Sequence, residues 1–204
     1  MMKGIVKLVA AVVLFAGLTS CIDIETDIQI NDEEDGSITL NYSVSKLIME
    51  LGQLDEDDPF SPLPVSESDF IASAAMVPGM EVESVSVDED EKAVYITSEC
   101  SFSSVEALSA FFSPDRENDP SLTQEGGETV FRYTLYSAAE EISADSMRMI
   151  ESFFADDGIV IRLEAPSDIT SVSAGSIDNN TAEFTTTILE VFRTNEDIVW
   201  EVRW

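Results

Sequence analysis

The chain contains no histidine. That absence removes the base of Ser-His-Asp and Cys-His nucleophile systems and the ligands of histidine-rich zinc sites. There is no Walker loop, no dinucleotide-binding glycine fingerprint and no CxxC pair. Basic residues are scarce, 10 against 41 acidic, for a net charge of −31. A surface of that sign repels nucleic acid and anionic headgroups, which argues against both as ligands bound by charge. Cysteine is nearly missing too, with only Cys21 and Cys100. Beyond the first twenty residues there is no apolar run approaching the ~20 residues that span a bilayer. The expectation from these gaps is a non-enzymatic protein with no cofactor and no metal. Among so many carboxylates, a pair spaced for glycoside hydrolysis carries no signal.

What is present begins at the N-terminus. Lys3 and Lys7 precede an apolar run, Leu8 to Ala16, which ends in Leu18-Thr19-Ser20-Cys21. A basic start, a short apolar stretch and small residues at the cut describe a secretory signal, too short for a membrane span. Cysteine after Leu18, Thr19 and Ser20 resembles the bacterial lipobox, in which the thiol is diacylglycerated before cleavage and the new amino terminus is often acylated. Residues 1–20 are thus expected to be removed, leaving a single domain over 21–204 of 184 residues. Loss of Lys3 and Lys7 moves the net charge from −31 to −33. The mature protein is expected in the cell envelope, outside the cytoplasm, with lipid on Cys21 as its membrane anchor. Two or more acyl chains make such an anchor durable where one does not. With Cys21 acylated, Cys100 has no disulfide partner. It lies in phase with Val94, Ile96 and Phe102, which reads as a buried thiol.

Ile22, Ile24, Ile28 and Ile30 alternate with acids and Gln29, the pattern of a half-buried strand starting almost at Cys21. A turn at Asn31–Gly36 leads to a second alternating run, Ile38 to Val44, completing a hairpin. The turn superficially has calcium-loop spacing, but Tyr42 stands where a bidentate glutamate is required. Short helices are predicted over Lys46–Leu54 and from a Ser66 cap to Met76, before Pro78-Gly79. A second hairpin spans Val82–Val87 and Ala93–Phe102. Ser103-Ser104-Val105-Glu106 fits a capping box and opens a helix to Phe112. A third hairpin crosses Gly126-Gly127, and a helix capped by Ser143 runs to Ala155. A strand at Ile159–Leu163 follows, then a fourth hairpin of Ile169–Ile177 with Ala182–Thr187, one helical turn at Ile188–Phe192, and a closing strand carrying Trp200 and Trp204. The predicted class is α+β, an antiparallel sheet built from hairpins with helices packed on one face. Trp200 and Trp204 share a strand face and read either as core or as an apolar ligand or membrane-facing surface. Met147, Met149, Ile150, Phe153 and Phe154 on the 143–155 helix could wall the same cavity.

With these residues laid out, the chain resembles the LppM-type domain of mycobacterial and other bacterial envelope lipoproteins. The likeness rests on Cys21 followed by Ile22-Asp23-Ile24-Glu25 and on the hairpin Ile30-Asn31-Asp32 to Gly36-Ser37-Ile38-Thr39-Leu40. It rests also on Ile169-Thr170-Ser171-Val172, the Asn179-Asn180 turn and the closing Val199-Trp200-Glu201-Val202. The resemblance implies an α+β lipid-handling fold, with a lipid or glycolipid as the ligand and no catalytic residue. Many members carry a transmembrane helix after the last strand. This sequence ends at Trp204, and anchorage by lipid alone is expected. The competing expectation is a periplasmic or surface module that binds a basic protein partner through its acidic face.

Overall fold

A computed structural model describes residues 22–52, 63–112, 119–138, 144–154, 157–194 and 196–204. Residues 1–21, with the whole Leu18–Cys21 motif, lie outside it. The expected Ser143 cap also falls outside the described residues.

The alternation in the first forty residues becomes two long paired strands, β1 (Ile22–Ile30) and β2 (Gly36–Ser45), antiparallel from Ile22 opposite Val44 to Ile30 opposite Gly36. Gly36 is required at the end of this pair, because a Cβ there would collide with the Gln29 carbonyl. The helix α1 (Lys46–Gly52) follows, and then α2 (Glu67–Ala75), whose cap Ser66 accepts the Asp69 amide at 3.2 Å. Strands β3 (Met80–Glu89) and β4 (Ala93–Phe102) form the next hairpin, and α3 (Val105–Phe112) packs after it. Its cap is Ser104, which receives the Ala107 amide at 3.3 Å, one residue later than the Ser103 box expected from sequence. The remaining elements are β5 (Ser121–Glu125), β6 (Glu128–Tyr136), α4 (Ala144–Phe153), β7 (Gly158–Glu164), β8 (Ser171–Val172), β9 (Ser176–Asp178), β10 (Thr181–Thr187), α5 (Ile188–Arg193) and β11 (Ile198–Arg203). The helix α5 carries a full capping box between Thr187 and Glu190.

The class is α+β with mostly antiparallel strands, but the layout differs from the single sheet expected. Two sheets form, with strand orders β3-β4-β2-β1-β7-β10-β9 and β5-β6-β11-β8. At the centre of the larger one, β1 pairs with β7 in parallel, from Ile24 opposite Ile159 to Gln29 opposite Glu164. Parallel neighbours need a long crossover, and more than a hundred residues supply it here. The helices also do not cover a whole face alone. On the inner face of the large sheet, α2 and α3 pack over β3 and β4, while the small sheet meets the β10 side, where Phe184 and Trp200 lie 6.1 Å apart. Both covers share one buried cluster, including Phe70, Leu108, Phe131, Trp200 and Val202 beside Ile28, Ile38, Ile96 and Leu163.

The fourth hairpin is only half as expected. Ser176–Asp178 pairs with β10, but Ser171–Val172 pairs with β11 in the other sheet. The chain changes sheets at Gly175, whose φ of +93° brings it against the Glu183 carbonyl where no side chain fits. The outer face of the large sheet is polar. There Arg162 is held by Glu183 at 2.7 Å, Glu25 at 3.2 Å and Asp27 at 3.3 Å. A similar square joins Arg132 and Arg203 to Glu125 and Glu201 on the small sheet. Arg132, Arg162 and Arg203 are therefore spent on internal pairing.

Candidate functional site

Because helices cover one half of the inner face of the large sheet and the small sheet covers the other half, a slot stays open between them over the central strands. Its floor is two rows of the ladder: Tyr42, Ile24 and Ile159, then Leu40, Thr26 and Ile161. These are alternate positions of β2, β1 and β7, so the period-2 apolar pattern that makes the strands also makes the floor. One wall comes from α2 and α3 through Phe70, Ser73, Phe111 and Phe112, the other from β6 through Tyr133 and Leu135, and Leu63 and Pro64 close one end. The aromatic rings run as a chain: Phe70 to Phe111 at 6.2 Å, Phe111 to Phe112 at 5.9 Å and Phe112 to Tyr133 at 5.4 Å between centroids. The cavity measures about 370 Å³, within the range of small-molecule sites.

The chemistry of the lining is narrow. None of the described lining residues is an acid or a base. The Tyr42 hydroxyl donates to the Pro64 carbonyl at 2.6 Å, and burial drives its phenol well above the ordinary tyrosine range. It therefore stays protonated and bound to the chain, unsuited to proton transfer. Such a slot accepts hydrocarbon and offers no counter-charge for a headgroup. Among the described residues no group of three or more Cys, Asp or Glu is placed to hold a metal ion.

The tryptophans sit elsewhere. Trp200 is 0% exposed, packs edge-on to Phe131 at 6.3 Å and donates its indole N–H to the Ala174 carbonyl at 3.0 Å. It is a core residue and does not reach the slot. Trp204 is half-buried and borders a separate, polar depression with Ile30, Leu122 and Pro166. The two do share a strand face, yet no common ligand surface forms, because the large sheet covers Trp200. Met147 and Ile150 on α4 are half-buried and do not line the slot; the side chains of Met149 and Phe153 lie outside the described residues. Sequence reading missed Phe70, Phe111, Phe112 and Tyr133. The one available signal was the adjacent pair Phe111-Phe112 at the end of the predicted helix, which widens its apolar stripe beyond a single row.

Cys100 is 1% exposed on the inner face of β4. Burial, with Glu83 and Glu99 nearby, pushes its thiol up to about 11. A thiolate is the reactive form, so Cys100 is expected to ignore a maleimide at neutral pH in the folded chain and to react fully in denaturant. Rapid native labelling would contradict this burial.

The start of β1 is clasped. The Ile22 amide donates to Asp157 Oδ2 at 2.8 Å, and the Gly158 amide returns a bond to Asp23 Oδ1 at 3.0 Å, across 135 residues of sequence. Asp157 itself is fully buried. Ile22, the residue that follows Cys21 in the sequence, is thus already part of the paired strand, in keeping with the sequence pattern.

Comparison with known proteins adds little. No family model matches the chain, and no curated protein matches it. The chain is similar in layout to the NMR structure of the folded domain of LppM from Mycobacterium tuberculosis, with 11% identity and a TM-score of 0.48 over 91% of this chain and 90% of that one. Nothing about ligand or activity passes through a likeness of this size. Among the described residues no helix is long and apolar enough to cross a membrane.

Proposed function

We propose that the protein is a bacterial envelope lipoprotein anchored through acyl chains on Cys21, and that its domain is a non-enzymatic module binding the hydrocarbon part of a lipid or other amphiphilic envelope molecule. The observation that carries the reading is the uncharged, aromatic-walled slot of about 370 Å³ over the central strands. The Leu18-Thr19-Ser20-Cys21 motif and the immediate start of β1 support placement close to a membrane surface.

A secreted Cys21→Ser chain, purified without detergent, is the test. Native mass spectrometry is expected to show one fatty-acid- or phospholipid-sized adduct, and cis-parinaric acid is expected to bind with enhanced fluorescence. Ser73→Trp adds a ring into the slot from α2 without replacing a packed side chain. It should weaken that binding about tenfold or more, equivalent to ~1.4 kcal/mol, with thermal stability unchanged. Absence of both adduct and probe binding, or equal affinity in Ser73→Trp, would overturn the reading.

A further inference from the structure

We infer that the slot receives one of the protein's own acyl chains, so that the anchor has a membrane-inserted form and a partly withdrawn form. The inference rests on the lipidation and on the hydrocarbon-binding slot proposed above, and goes beyond them by naming the occupant.

Three observations converge on it. The first is reach. Ile24 lies in the slot floor and is three residues from Cys21, about 10 Å of extended chain, well within the length of a fatty chain. The second is fixity. The Ile22 amide is tied to fully buried Asp157 at 2.8 Å, so the residue next to the attachment point is fixed to the sheet. A group held on so short a leash faces its site at an effective concentration of order millimolar, which a sparingly soluble free lipid does not match. The third is chemistry. No described lining residue is charged, and the Tyr42 hydroxyl is already donated to Pro64. No described lining group gives a headgroup a counter-charge, and an attached acyl chain needs none. Size agrees as well: a cavity of about 370 Å³ lies at the small end of ligand sites, which favours one chain over several. The remaining chains would stay in the bilayer, and withdrawing one would turn a durable anchor into a weaker one.

The experiment places a photo-crosslinking benzoylphenylalanine at Leu135 or, in a second variant, at Phe112, one on each wall. The full acylated chain is reconstituted into phosphatidylcholine vesicles, illuminated and digested. The expected product joins the wall residue to the acylated N-terminal peptide of the same chain, in at least one variant. Crosslinks to phosphatidylcholine alone, or none, in a chain whose N-terminal peptide carries its acyl mass and whose Cys21→Ser form binds cis-parinaric acid, would overturn the inference while leaving the proposed function standing. A missing acyl mass would remove the lipidation reading, and missing parinarate binding the slot reading; either takes the inference with it.

Discussion

Truncating Trp200 to alanine is expected to cost about 3–5 kcal/mol, the range for deleting a large buried aromatic. Trp200 is the largest fully buried side chain of the described core, and it bridges elements that no local contact joins. Its ring meets Phe131 within the small sheet and Phe184 across the gap in the large one, and its N–H holds the Ala174 carbonyl just before the chain changes sheets. For a domain of this length that loss corresponds to a fall of ~6–20 °C in melting temperature. Trp200→Phe keeps most of the volume and removes the indole donor, so it should lose only about 1–2 kcal/mol. Calorimetry of the two variants separates packing from hydrogen bonding. A Trp200→Ala chain that melts within a degree or two of the parent would show that the two sheets do not depend on this contact.

Removing the buried carboxylate of Asp157 is the second large change. Asp157→Ala strips the acceptor from the Ile22 amide at the head of the central strand, and an amide left unsatisfied costs about 1–3 kcal/mol. Asp157→Asn retains an oxygen at the same place and is expected to lose less than half as much. The damage should also be local before it is global. Hydrogen exchange at Ile22, Asp23 and Gly158 is expected to speed up in Asp157→Ala while the β3–β4 hairpin stays protected, since those strands pair far from the clasp. Unchanged exchange at Ile22 would mean that the ladder alone holds β1 in place.

Much of the secondary structure was legible from short-range rules. Alternation set β1 and β2, Ser66 marked α2, and Gly126-Gly127 marked the turn between Glu125 and Glu128. Even so, Thr187 and Glu190, a capping box with both bonds made, read from sequence as no more than one helical turn at Ile188–Phe192. What alternation does not encode is the identity of a strand's partner. Ile159–Leu163 reads equally well beside any neighbour, so its parallel pairing with β1 was invisible, and with it the second sheet. The run Ile169–Ile177 looked like one strand because the positive φ at Gly175, which divides it between sheets, leaves no mark on hydropathy. The slot was hidden for the same reason. It is a space between two covers, and only the tertiary arrangement brings Phe112 to Tyr133 or Leu40 to Ile161. The tryptophans drew attention by size, and size led them into the core.

The parallel pairing also orders events in time. A polypeptide made from its N-terminus forward exposes β1 and β2 early, and those two can zip at once because their turn is short. The other edge of β1 must wait until residues 158–164 have emerged, more than a hundred positions later. Through that interval an isoleucine-rich edge stands open to stray strands from neighbouring nascent chains, a hazard that the acidic residues alternating along it, Asp23, Glu25 and Asp27, oppose by mutual repulsion.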